Sequence, residues 1–179
     1  MYIRPNIKSS YKKNNIGDSI HDIVMELAPH NVVEFGVLNG YSTVIIAHAL
    51  KNLGGGKLTS YDLFDEYPYN HGDMDKVQKV LKRHRVDFLV TLKKGVFPNI
   101  EEDFDLLHLD ISNDGNTILH AIEHFPDKDI LFEGGTQERD EVDWMKKYNK
   151  RKIYPLKDEI GYEIIDERFP GLSLIRGKK

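Results

Sequence analysis

A doubly wound α/β fold is predicted by three features of this sequence: a mostly parallel sheet of about seven strands, helices on both faces and an antiparallel C-terminal hairpin. Short β-branched runs alternate with stretches of helical period from Asn31 to Tyr148. Glycine-containing breaks separate the runs from the stretches that follow. The chain then closes with two short apolar runs joined by Pro170-Gly171, a connection tight enough to require antiparallel pairing.

Taken in order, residues 1–15 are polar and basic without periodicity and read as a flexible arm, Lys8, Lys12 and Lys13 being solvated tail or, less favoured, part of a lid. Residues 16–179 read as a single domain. Ile20, Ile23, Val24 and Leu27 recur at helical spacing, with Asp18 or Ser19 as cap and Pro29 as stop. Val32 to Val37 has the composition of a strand buried on both faces. A helix from Ser42 to Leu53 stops at Gly54-Gly55-Gly56, and a second strand runs from Leu58 to Leu63. A helix at Asp73–His84 precedes a third strand at Val86–Leu92, and a fourth strand lies at Phe104–Ile111. The remaining elements are a helix at Thr117–Phe125, a strand at Asp129–Phe132, a helix at Glu138–Tyr148 and the strands Tyr162–Ile165 and Leu172–Ile175.

Composition narrows the function. The chain has 179 residues, 25 Lys and Arg against 29 Asp and Glu, a formal charge of -4 and no Cys. That length suits one ordinary domain without a separate substrate domain. The absence of Cys excludes disulfides, thiolate metal sites and cysteine nucleophiles. An acidic balance, with a pI near 6.1, argues against a nucleic-acid partner. A mean hydropathy of -0.49, no long apolar run and no signal-peptide pattern predict a cytoplasmic protein without a membrane partner.

The most informative segment is Glu34-Phe35-Gly36-Val37-Leu38-Asn39-Gly40-Tyr41-Ser42, between the first strand and its helix. Ligands of open α/β sheets bind outside the carboxyl ends of strands, where the strand order reverses. Gly36 lets the backbone turn sharply there, and Gly40 permits close approach of a ligand or of neighbouring backbone. The spacing is Glu-x-Gly-x-x-x-Gly, not the Gly-x-Gly-x-x-Gly of dinucleotide folds. A carboxylate as buried as Glu34 should be needs hydrogen-bond partners.

This segment resembles the first motif of class I S-adenosylmethionine-dependent methyltransferases. Asp62 matches that family's acidic residue at the end of the second strand, and the terminal hairpin agrees with its fold. Phe104 to Gly115 looks like the fourth-strand motif of the macrocin O-methyltransferase-like branch. The resemblance covers the chain from about Asn31 onward and implies a Rossmann-like methyltransferase fold with S-adenosylmethionine as cofactor. It assigns the ribose hydroxyls to Asp62 and the methionine part to the loop of Val37, Leu38, Asn39, Gly40 and Tyr41. Glu34 orients that loop through amides or a water, Ser42 caps the helix after it, and adenine lies between Leu63 and Gly95-Val96-Phe97.

For the chemical step Asp110, at the end of the fourth strand, is the first candidate, with Glu133 beside it and His71 as a secondary base. His108 reads as a satisfied core histidine. Metal-dependent relatives use a divalent cation such as Mg, for which Asp110, Glu133 and Asp114 are the candidate ligands here. The chain has Glu133-Gly134 where those relatives have Asp-Asn. Arg139 is a candidate for reaching an anionic acceptor. The expected reaction is O-methylation of a small hydroxylated or sugar-containing molecule. The alternatives are a catalytically silent methyltransferase-like binding domain and, less favoured, an NAD-type oxidoreductase. A homo-oligomer is left open.

Overall fold

The structure, a computed structural model, describes residues 4–68 and 71–178. Seven strands form one sheet: β1 (Asn31–Phe35), β2 (Lys57–Asp62), β3 (Val90–Lys94), β4 (Leu106–Leu109), β5 (Asp129–Glu133), β6 (Glu163–Asp166) and β7 (Leu172–Ile175). Their order is β3-β2-β1-β4-β5-β7-β6. β1 to β5 pair in parallel, β7 pairs antiparallel with β5, and β6 antiparallel with β7, so β7 alone opposes the other six. The expected fold class and closing hairpin are therefore present.

The principal helices are α2 (Ile16–Leu27), α3 (Tyr41–Asn52), α4 (Met74–His84) and α5 (Gly115–His124), with short helices α1 (Ser10–Lys13), α6 (Asp143–Lys147) and α7 (Lys157–Ile160). Alternate residues of each strand enter opposite cores. Val32, Leu58, Leu106 and Leu131 pack with Ile20 and Val24 of α2, Ile45 and Leu50 of α3, and Leu81 of α4. Val33, Phe35, Leu107, Leu109 and Phe132 pack with Ile118 and Ala121 of α5. Each large apolar side chain buried in either layer contributes about 1.5–3 kcal/mol relative to exposure. The strand order reverses between β1 and β4, and the two crossover directions meet there.

Four local readings are corrected by the structure. The segment read as an arm carries α1 and buries Tyr11 at 1% exposure; one aromatic in a polar stretch has no period to announce it. β3 begins at Val90, because residues 87–89 form a single 3-10 turn, and Val86 satisfies its burial without pairing. The helix expected over Glu138–Tyr148 is a 3-10 turn (Arg139–Glu141) and α6, divided at Val142 with extended backbone. Asp140 is drawn inward to accept from the amides of Ile153 and Tyr154 at 3.0 and 2.7 Å, a tertiary demand that overrides helical propensity. Neither Asp18 nor Ser19 caps α2: Asp18 pairs with Arg4, and Ser19 donates to Asp166 at 2.5 Å. Tyr69 and Asn70, in the aromatic loop after the second strand, lie outside the described residues.

Gly36 sets the tightest constraint. Its φ is +96°, and a Cβ built on it would stand 1.8 Å from the carbonyl oxygen of Asp110. The Asp110 amide donates to Phe35 O at 2.9 Å, so neither backbone can retreat. Gly36→Ala should therefore lower unfolding free energy by about 3 kcal/mol, combining left-handed strain with overpacking. Urea denaturation measures it, and a loss within error of zero would show that the two loops are free to separate.

Candidate active site

Two carboxylates on neighbouring strands shape the loop from Gly36 to Gly40. Glu34 of β1 is fully buried and stands in register with Ser60 of β2 and His108 of β4. It accepts hydrogen bonds from Ser42 Oγ at 2.6 Å, Thr43 Oγ1 at 2.7 Å and Ser60 Oγ at 2.7 Å. Glu34 thus grips the first turn of α3 through hydroxyls rather than orienting the loop through amides. Ser42 is consequently no cap; Gly40, with φ +79°, fills that position without a side-chain hydrogen bond.

Asp62 acts on the other side of the loop. Its Oδ2 accepts from the amides of Val37 at 2.7 Å and Leu38 at 2.9 Å, and its Oδ1 from that of Phe64 at 3.0 Å. Charge-assisted bonds of this kind are stronger than neutral ones, and here they hold a turn in which Leu38 has a positive φ of 46°. From the outer side Gly72 presses in; a Cβ there would lie 1.8 Å from Leu38 O. The packing of Gly72 against Leu38 has no signal in the sequence, because a close approach between distant segments leaves no local pattern.

The loop borders a cavity of about 460 Å³ at the carboxyl ends of β1, β2 and β4. Of the residues expected there, Gly36, Val37, Leu38, Asn39, Tyr41 and Ser42 line it. Asp62 and Leu63 form one wall, Gly95 and Val96 face them from beyond β3, and Asp110 and His71 lie on the lining as well. Glu34 lies beneath the cavity rather than on it, and Gly40 meets Val77 of α4 instead of the cavity. The lining also includes Lys8, Ser9 and Ser10 from the N-terminal segment, and Thr117 and His120 from α5, none of which periodicity could single out. Phe35 and Tyr61 stack at 4.9 Å between centroids, with the edge of Phe97 on Phe35 at 5.4 Å, giving the cavity a flat aromatic end.

Glu133 and Asp114 depart from their expected roles. Glu133 is buried off the cavity and bonded to Arg139 by Nε at 2.5 Å and Nη2 at 3.2 Å. Arg139, further engaged by Met145 Sδ at 3.2 Å and lying over Trp144, cannot reach out to an anionic acceptor. Asp114 caps α5 by accepting from Thr117 N at 2.9 Å. The three carboxylates proposed as metal ligands are thus committed elsewhere or apart, and no group of metal-binding side chains occurs among the described residues. His108 is a core histidine as expected, fully buried with Nδ1 3.3 Å from Glu34 Oε1, but its ring nitrogens complete no hydrogen bond.

Asp110 lines the cavity and titrates differently from an ordinary aspartate. Burial first, then the charges of Glu133 and Glu34, push its carboxyl well above the ordinary carboxylate range. A group so raised binds its proton more tightly in the folded chain than in the unfolded one. Stability therefore falls as pH rises from about 4 through Asp110's own titration. Asp110→Asn lacks that penalty. Thermal midpoints of variant and parent should coincide near pH 4 and separate in the variant's favour towards neutrality; a variant less stable at pH 7 would contradict this electrostatic picture.

Comparison with known proteins agrees with this geometry. A family described as a methyltransferase domain matches residues 33–136, which span the loop, Asp62, Asp110 and Glu133. No curated protein matches the sequence. Similar solved structures include cofactor-bound Rv0187 from MTB, 20% identical over 97% of this chain and 84% of that one, with a TM-score of 0.68. The SAH-bound methyltransferase PaMTH1 of Podospora anserina is 16% identical over 91% and 78% of the two chains, with a TM-score of 0.63. An O-methyltransferase from Bacillus cereus in complex with SAH is 16% identical over 96% and 82%, with a TM-score of 0.62. These matches do not separate the macrocin-like branch from its wider family. The match over more than half of the chain, beginning at the carboxylate-held glycine loop, places this protein in the methyltransferase-domain family.

Proposed function

We propose that the chain is an S-adenosylmethionine-dependent methyltransferase acting on a hydroxyl of a small acceptor. The observation that carries this reading is the cavity at the reversal point of the sheet, walled by the glycine loop on one side and by Asp62 on the other. Its volume of about 460 Å³ lies in the range of sites for ligands of nucleoside size. The aromatic end offers a slot for a purine, and the acidic end of β2 offers acceptors for ribose hydroxyls. Several structures of similar fold are themselves named O-methyltransferases, which supports oxygen as the acceptor atom.

In this reading Leu63 and the Gly95-Val96 turn hold the adenine, Asp62 the ribose, and the Val37–Tyr41 loop the amino-acid part. Bound there, the cofactor supplies a methyl group already activated by a positive sulfur, so the protein's work is chiefly alignment. Asp110 is the base: its elevated proton affinity lets it take a proton from the acceptor hydroxyl more readily than a surface aspartate would. His71 lines the same cavity, on the side of Tyr67, and remains the secondary candidate. A divalent cation such as Mg does not fit the donor set, since Glu133 is bonded to Arg139 and Asp114 caps a helix.

Isothermal titration with S-adenosylhomocysteine tests the assignment. The parent chain should bind it, and Asp62→Ala should weaken binding about 100-fold, because the ribose contact and the grip on the Val37 and Leu38 amides are lost together. Failure of the parent to bind would remove the cofactor assignment; equal affinities would remove Asp62 from it.

A further inference from the structure

The loop that borders the cavity has spent most of its hydrogen-bond donors. Four of the five amides from Gly36 to Gly40 are used inside the protein: Gly36 N donates to Tyr61 O at 3.0 Å, Val37 N and Leu38 N to Asp62, and Gly40 N to Val37 O at 2.7 Å. The hydroxyl of Ser42 is spent on Glu34, and the side-chain amide of Asn39 on Lys8 O at 3.1 Å. What remains on this stretch is mainly carbonyl oxygen, which suits an ammonium group and not a carboxylate. Asp62, on the same wall, adds a negative charge that opposes an entering anion.

Lys8 supplies what the loop lacks. It is the only lysine or arginine among the described residues that line the cavity, and no ion pair engages it among the described residues. Its side chain is exposed, yet its place in the chain is fixed. Ile7 before it and Tyr11 after it are buried, Arg4 pairs with Asp18, and the bond from Asn39 ties the Lys8 carbonyl to the glycine loop itself. Nearby Lys12 is engaged by Asn6 Oδ1 instead, and Lys13 does not line the cavity.

We propose that Lys8 is the carboxylate-recognition residue of this cavity: its ammonium group pairs with the α-carboxylate at the amino-acid end of the cofactor. This rests on the methyl-transfer reading and says which charged end of the ligand lies where. The carboxylate faces the N-terminal segment, and the ligand's own ammonium faces the carbonyls of the loop. A hydrogen bond between two charged groups is stronger than a neutral one, and a cleft screens it less than open solvent does. Because Asn39 joins Lys8 to the loop, the two parts of this subsite are held together before any ligand arrives.

Isothermal titration with S-adenosylhomocysteine and with 5′-methylthioadenosine tests this, since the second compound keeps the nucleoside and the sulfur but lacks the amino-acid end. Lys8→Gln should weaken S-adenosylhomocysteine about tenfold and leave 5′-methylthioadenosine within about twofold of the parent. Lys8→Arg should restore most of the loss. Raising the ionic strength should narrow the preference for S-adenosylhomocysteine in the parent but not in Lys8→Gln. Equal affinity of parent and Lys8→Gln for S-adenosylhomocysteine overturns the proposal, as does an equal loss for both ligands. A parent that binds S-adenosylhomocysteine while Lys8→Gln binds it as well removes Lys8 alone; a parent that does not bind it removes the cofactor reading and this proposal together.

Discussion

The close approach of Gly36 to the backbone of Asp110 is the constraint on which the rest of the site depends. It brings the first loop of the sheet against the end of β4, so that the cavity wall and the proposed base belong to one rigid junction. Only a residue without a side chain permits this distance, and Gly36 also has the positive φ that glycine tolerates. Two carboxylates then preserve the junction from opposite sides. Glu34 secures the helix that follows the loop, and Asp62 secures the loop's own amides. Site geometry is thereby established by the protein's own hydrogen bonds, which is the condition for preorganised binding.

The same arrangement concentrates negative charge where the sheet is most buried. Glu34, Asp110 and Glu133 occupy one face near the carboxyl ends of three adjacent strands, and their needs are met unequally. Glu34 has three hydroxyl donors and Glu133 a guanidinium, whereas burial and those two neighbouring charges outweigh what Tyr11 and Arg139 offer Asp110. Asp110 is left as the group with the raised proton affinity, which is the asymmetry expected of a base among structural carboxylates. Glu133 and Arg139 are bonded to each other off the cavity lining.

Much of the architecture was legible because its causes are local. β-branched runs and helical periods located the strands and helices, and the Pro170-Gly171 break announced the hairpin. Gly36 was recognisable because a turn leaves a short-range signal, and Asp62 through the resemblance to the methyltransferase family. What misled were residues whose partners no periodicity or motif identifies. Glu133 read as a ligand because its place at a strand end is visible in sequence, whereas its bond to Arg139 needs the chain to fold back through an interrupted helix. Tyr11 read as part of an arm because its burial comes from helices and strands far along the chain.

By itself the sequence determined the alternation of strands and helices, the parallel sheet with its closing hairpin, and the glycine-bearing turn where a ligand would lie. Each follows from backbone freedom and side-chain period within a few residues. The tertiary structure alone decided which carboxylates were bonded within the protein, which one came to line the cavity, and that Tyr11 is buried. Those outcomes depend on strand order and register, which bring together side chains such as Glu34 and Ser60 from different strands and so are written in no single stretch of the chain.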